Sequence, residues 1–497
     1  QHEEHVAMAA DGYSRVTGNI GVGMVTSGPG ATNTLTGICS SFFDSIPTLL
    51  ISGQVSSNRV RQTTKLRQYG FQETDVISIF QSVTKYAKQL KDPNDIKLLL
   101  QEAFYYAKEG RPGPVLIDVP DDFQRAEINP DELKEFIPPK QKTTDIQESI
   151  AVLKELISTS KKPLFVFGAG VNISKAKKEV NQLIDTLKIP FLMTWGGKDL
   201  FAYDNEFNFG CFGTSGPRYG NIAIQDADLV VGFGAKFSQL QTGGNLGEFA
   251  IKAKKVLIDI DIEEIKKFHD KELNFDLEIH DDLKKICDLL INSNIKQNDY
   301  SSWLTKLNTL KQIYPICPKE LYSTKNVVNP YVFIDALSDE LNNDAIIVAD
   351  TGANLTWTMQ TIKVKESQRI FSAWNHTPMG YSLAGAIGAA IADPNKQIIC
   401  LIGDGGLQMC IEELATVARH NLPIKIFLFN NHGFGIIRQT IDTWLDSNYN
   451  AVDEESGLGL PDFNKVAQGY NLKTHTINSH ENINSEIRDV LKKEGPL

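Results

Sequence analysis

Short apolar runs alternate with amphipathic stretches along the whole chain. The runs at 20–26, 47–52, 115–119, 164–168, 229–234, 256–260, 345–349, 397–402 and 424–429 are nearly continuous in apolar residues. A strand without polar alternation has both faces covered, as in a parallel sheet between two layers of helices. Between the runs, 147–159, 174–187 and 412–420 place apolar residues at helical spacing. Strand and helix in alternation predict an α/β fold of doubly wound parallel sheets. Many runs lead into Gly, Asp or Asn. Ligands gather at such carboxyl strand ends.

Two polar, proline-bearing stretches, 121–144 and 290–330, interrupt the pattern and read as linkers. They divide the chain into three consecutive units, about 1–125, 145–290 and 325–497. A chain of 497 residues is long enough for three domains. It is 41% hydrophobic and 22% charged, with a formal net charge of -11. That balance and the lack of a long basic run argue against nucleic acid as a partner. No run is long enough to predict a membrane span. Six scattered cysteines form no CxxC pair, so neither a zinc site nor a disulfide framework is expected, and a cytoplasmic location is. The sequence opens without Met at Gln1-His2-Glu3-Glu4-His5 and stops at Gly495-Pro496-Leu497, where a strand is starting. Both ends are expected to be cuts.

The strongest chemical signal lies in the third unit. One strand runs into Gly403-Asp404-Gly405-Gly406, and the next ends in Asn430-Asn431. Asp404 and Asn431 are one strand–helix–strand crossover apart, which can bring both to neighbouring strand ends. An anionic and an amide oxygen suit magnesium, which borrows further ligands from phosphate and water. Glycines at a helix start let backbone N–H groups approach a diphosphate. No P-loop sequence occurs. By itself the glycine turn would be a βα loop with Asp404 as a helix cap.

The first unit opens with His2-Glu3, a small-residue stretch with Gly12-Tyr13-Ser14-Arg15, and then Ser27-Gly28-Pro29-Gly30-Ala31-Thr32-Asn33. Phe71-Gln72-Glu73-Thr74 follows. With the third-unit motif, this order resembles the thiamine diphosphate-dependent enzymes of the acetolactate synthase (acetohydroxyacid synthase large-subunit) type. The likeness covers all three units, which it identifies as pyrimidine-binding, central and diphosphate-binding domains.

The resemblance implies site residues. Glu3 matches the glutamate that hydrogen-bonds the cofactor's pyrimidine and activates it; such a carboxyl is expected to be desolvated, with a raised pKa. Phe71 and Gln72 would face the substrate pocket across a subunit boundary. Asp404, Asn431 and the Gly433 carbonyl would hold Mg2+. Gly403, Gly405, Gly406, Gly352, Ala353, Asn354, Gly433, Phe434 and Gly435 would surround the diphosphate. Met379 would wedge under the cofactor, although Ser382 and Ala384 depart from the family's Gly and Pro. FAD is a candidate ligand of the central unit, on glycine-rich strand ends at 168–170 and 232–234. Thr214-Ser215 and Lys236 stand there in place of a Met-His pair and an Arg.

The implied reaction is decarboxylation of pyruvate, or a close 2-keto acid, with transfer of the two-carbon unit to a carbonyl acceptor. Transfer to a keto-sugar nucleotide and simple decarboxylation are the alternatives; a degenerate binding homologue is a third, opposed by intact Glu3, Asp404 and Asn431. Near Thr440 the biosynthetic enzymes carry a Trp that shapes acceptor choice. The stretch 56–69, with Arg59, Arg61, Lys65 and Arg67, is more basic than usual and is either a solvated face or a contact for an anionic acceptor. A homodimer or homotetramer is expected.

Overall fold

Three all-parallel sheets follow one another in the computed structural model, which describes residues 1–63, 65–140, 145–296 and 298–497. The first holds β1 (Gly21–Val25), β2 (Thr48–Gln54), β3 (Tyr86–Gln89) and β4 (Val115–Pro120) in the order β1-β2-β4-β3. The second holds β5 (Pro163–Phe167), β6 (Phe191–Met193), β7 (Asn208–Cys211), β8 (Leu229–Phe233), β9 (Lys254–Asp259) and β10 (Leu277–His280), ordered β10-β9-β8-β5-β6-β7. The third holds β11 (Ile346–Ala349), β12 (Arg369–Phe371), β13 (Ile398–Gly403) and β14 (Ile424–Phe429), ordered β12-β11-β13-β14. This is the predicted α/β class.

Most of the apolar runs became inner strands, because helices cover both faces; 20–26 and 424–429 became the edges β1 and β14. β5 and β8 are buried at every position. Phe165, Phe167 and Phe233 interlock there with ring centroids 5.0 to 6.2 Å apart. Residues 141–144 of the first expected linker lie outside the described residues. The second, 290–330, holds a helix, Ser301–Ile313. Its Trp303 and Leu307 are buried in the central core, and Trp303 Nε1 donates to Pro163 O at 3.1 Å. Among the described residues the cysteines are free, and no helix is long and apolar enough to cross a membrane.

The first and third units meet through two helices. In Glu3–Thr17, a Cβ on Gly12 would lie 2.4 Å from Gly385 O; in Tyr381–Ala392, a Cβ on Gly388 would lie 2.1 Å from Ala9 O. Glycine is required at both crossings. As one helix descends from 12 to 9, the other climbs from 385 to 388, so the pair is antiparallel. A buried polar network locks it. Arg15 reaches Asp11 at 2.6 Å and Asp44 at 2.7 Å. Ser41 and the Tyr381 hydroxyl also donate to Asp11, and the Trp374 N–H donates to Asp44 at 2.7 Å. Burial of ions is tolerated here because each carboxylate is satisfied several times over.

Candidate active site

β13 and β14 are adjacent, in register from Ile398↔Ile424 to Gly403↔Phe429. That pairing delivers Asp404 and Asn431 to one end of the sheet, as their spacing predicts. Buried Asp404 accepts from Gly405 N at 2.7 Å and from Gly433 N at 3.0 Å. The Asn431 side-chain amide lies 3.3 Å from Asp404 Oδ2 and 3.0 Å from Gly433 O. Turned nitrogen-first, it donates to both. Turned oxygen-first, it completes a set of three converging oxygens, an arrangement that only a cation relieves. The donor set fits a hard divalent ion.

The other third-unit candidates pack around this corner. A Cβ on Gly405 would strike the Phe434 ring at 2.4 Å and meet the Met379 methyl at 3.0 Å. A Cβ on Gly435 would meet the Asn431 amide at 2.8 Å, and one on Gly433 would strike Val452 O at 2.3 Å. Gly352, at φ 91°, caps the helix Ala353–Thr361. Next on it, Asn354 Nδ2 donates to Thr351 O at 3.1 Å, while its buried Oδ1 has no partner. Gly403 backs on that amide, 3.3 Å from where its Cβ would be. Ser382 and Ala384 sit buried in an unbroken helix, so their departure from the family pattern costs no backbone regularity.

Asp350, two residues before Gly352, anchors this corner. It is fully buried at the end of β11. Its Oδ2 accepts from Gly380 N at 3.0 Å at the head of the Tyr381–Ala392 helix, and Gly406 has no room for a Cβ beside it, at 2.0 Å. Oδ1 has no partner. Burial pushes its carboxyl up to about 7.

The first unit forms a second group. Asn33 Nδ2 donates to Glu3 Oε2 at 3.0 Å, and a Cβ on Gly30 would lie 3.7 Å from Glu3 Oε1. Gln72, at φ 63°, backs on Gly28 at 3.0 Å. The Ser27–Gly30 turn thus joins Glu3 to Gln72 and to Phe71, which is 86% exposed. The Glu3 carboxyl differs from expectation. The Asn33 hydrogen bond and its own backbone N–H hold it below the usual range, not above. In the single chain it is only half-buried, so hydrogen bonding to the charged form outweighs desolvation.

Among the described residues no hydrogen bond or ion pair joins the two groups. Asp11, four residues from Arg15, bonds Tyr381, two residues from Met379. Glu3 lies eight residues back along the helix, about 12 Å along its axis. On either side of it, the His2 N–H and the His5 ring bond Glu413 of the third unit at 3.1 and 3.2 Å.

The central sheet reverses strand order between β5 and β8, the switch point of a doubly wound fold. There Gly170 N donates to Gly234 O at 3.1 Å. A cleft of about 320 Å³ opens beside them, reaching Lys236, Asp259 and Trp374. Lys236 lies 3.6 Å from Glu264, and burial raises the pKa of Asp259.

Fold and site together define a thiamine pyrophosphate enzyme, and the chain belongs to that family. Residues 1–79 match the thiamine pyrophosphate enzyme N-terminal TPP binding domain, 150–290 its central domain, and 350–497 its C-terminal TPP binding domain. Among similar proteins are an acetolactate synthase large subunit of Porphyra purpurea, 36% identical, and a probable one of Methanococcus aeolicus, 32% identical. That of Lactococcus lactis subsp. lactis is 31% identical. Each alignment takes in 100% of this chain and 83–84% of the relative.

Proposed function

We propose that the protein decarboxylates pyruvate and joins the resulting two-carbon unit to a carbonyl acceptor, with thiamine diphosphate and Mg2+. The observation that carries this reading is the convergence of Asp404, Asn431 and the Gly433 carbonyl over a glycine-lined corner. When bound, thiamine diphosphate supplies a nucleophilic carbon that adds to a keto group and takes up the electrons released with carbon dioxide. The protein's share is positioning and proton control. Asp404, Asn431 and Gly433 hold the metal; the backbone of 403–406 and 352–354 cradles phosphate; Met379 and Phe434 wall the corner. Glu3 is placed to hold a proton at the pyrimidine, with Asn33 fixing its orientation. Phe71 and Gln72 border the substrate and exclude water.

The resemblance to the acetolactate synthase type implies a site shared between two copies, with Glu3 from one and Asp404 from the other. At least a homodimer is therefore part of the proposal. In the central cleft we propose a nucleotide ligand, FAD first. The Gly170–Gly234 cradle suits a diphosphate, and Asp259 can accept from ribose hydroxyls. Absorbance near the flavin bands in protein as purified decides whether it is a flavin.

Pyruvate with thiamine diphosphate and Mg2+ is expected to yield carbon dioxide and 2-acetolactate. Glu3→Gln should cut carbon dioxide release at least ~100-fold. Dialysis against EDTA should abolish release and added Mg2+ restore it. Full activity in Glu3→Gln, or indifference to EDTA, would contradict the assignment.

A further inference from the structure

We infer that the protein holds a small inorganic anion, of chloride size, between the Lys198 and Lys311 ammonium groups where the central and third units meet. The inference goes beyond the carboligase reading and does not depend on it.

The two lysines line one small cavity together with Tyr203, Asn208, Tyr219 and Gln360. Its walls come from three parts of the chain: the central unit around β6 and β7, the Ser301–Ile313 helix, and residues 360–364 of the third unit. Its volume is about 20 Å³. One water-sized occupant needs ~10–15 Å³. A nucleotide or a phosphate ester is far too large for it.

Lys198 is 8% exposed. Its ammonium makes no hydrogen bond and no ion pair among the described residues, and its electrostatic surroundings hold the Cys211 thiol and no carboxylate. Among the described residues no aspartate or glutamate lines the cavity. The nearby acceptors are already in use. Asn208 Oδ1 accepts from Gly210 N at 2.9 Å, and Gln360 Oε1 accepts from the Tyr331 hydroxyl at 2.7 Å. Asn208 O accepts a long bond from Lys311 Nζ, at 3.4 Å. Lys311 otherwise faces rings, 5.1 Å from the Tyr203 centroid. The buried Tyr219 hydroxyl, 3.1 Å from where a Cβ on Gly210 would be, also has no hydrogen bond among the described residues.

Three donors therefore line one small space, and two of them are cations. Burial lowers the pKa of both ammonium groups, and Lys198 adds like-charge repulsion at Lys311. A buried cation is costly unless a counter-charge meets it. Water in the cavity would serve the hydroxyl and leave both charges unanswered. A monatomic anion accepts from all three donors and cancels one charge. It would also reinforce contacts that already bridge the two units there, Tyr203 N to Val364 O at 2.8 Å and Gln360 Nε2 to Ser215 O at 2.7 Å.

The test is the thermal midpoint of the full chain, with thiamine diphosphate and Mg2+ present, in sodium chloride and in sodium gluconate at one ionic strength. Gluconate is too large for the cavity. General salt effects act alike on wild type and variants and cancel in their difference. The wild type should melt roughly 1–3 °C higher in chloride, and the rise should saturate as a single site fills. Lys198→Met should lose that difference, and Lys311→Met should reduce it. Crystals grown in sodium bromide need no variant: anomalous scattering should place bromide between the two ammonium groups. Should Lys198→Met not fold, Lys311→Met and the bromide position decide. Equal midpoints in the two salts, a full chloride response in Lys198→Met, or bromide absent from the two ammonium groups overturns the proposal.

Discussion

Asp350 carries a pH dependence that its surroundings dictate. Unfolded, an aspartate loses its proton near 3.9. Folded, burial holds the proton up to about 7, despite the N–H of Gly380. Below the unfolded value both states are protonated and the shift has no effect. As pH rises toward 7 the folded state retains a proton that the unfolded state has released, so stability falls across that window and stays lower above it. Asp350→Asn removes the ionisation and keeps an oxygen for Gly380 N. It should therefore raise the thermal midpoint of the cofactor-free protein at pH 8 and change it little at pH 4, a difference on the order of a few kcal/mol. An equal effect at both pH values would assign the change to packing. Residues of this kind mark the limit of sequence reading. Asp404 and Asn431 were legible because strand ends and spacing announced them. Asp350 was visible only as an acid after a strand; nothing local shows that Gly406 and a helix head enclose it. Asn33 was quoted within its loop, but its bond to Glu3 needs the fold.

At the scale of elements, glycine crossings decide how the first and third units join. Gly388→Ala forces a methyl into Ala9 O, which stands 2.1 Å from its place and cannot rotate away. Overpacking of this sort costs about 1–3 kcal/mol, so Gly388→Ala should lower the thermal midpoint by several degrees. Gly457→Ala, whose Cβ would meet nothing within 4 Å, is a poor control because its φ of 106° favours glycine; Gly459→Ala, which is open and free of that constraint, should be neutral. The same helices explain what the sequence concealed. Inner strands with both faces covered, such as β5 and β13, announced themselves as apolar runs. The edge strands β3 and β12 did not, although the edges β1 and β14 did. β3 is Tyr-Ala-Lys-Gln with one fully buried position, and β12 has three residues. A sheet edge is partly solvated, so its composition approaches that of a loop. The Ser301–Ile313 helix was hidden for a related reason: a stripe of Trp303, Leu307 and Leu310 faces the core, and the rest of its surface is polar.

At the scale of the molecule, the chemistry must unite Glu3 of the first unit with Asp404 of the third, on one chain or on two. Among the described residues no hydrogen bond or ion pair joins Glu3 to Asp404 or Asn431, and the Arg15–Asp11–Asp44–Tyr381 network resists any sliding of the helices. If each site takes Glu3 from one copy and Asp404 from another, two dead variants can rescue each other. Glu3→Gln and Asp404→Ala are each expected to be inactive alone. Co-expressed, they form mixed dimers in which one site receives both substitutions and the other receives neither. Random assortment then returns up to about a quarter of wild-type carbon dioxide release. A site built within one chain gives no such rescue, since every site in every assembly would carry one substitution. Mixed-tag purification isolates the heterodimer and doubles the expected yield per protein, to about half. Activity in that fraction places the two groups on different chains; a silent heterodimer places them on one.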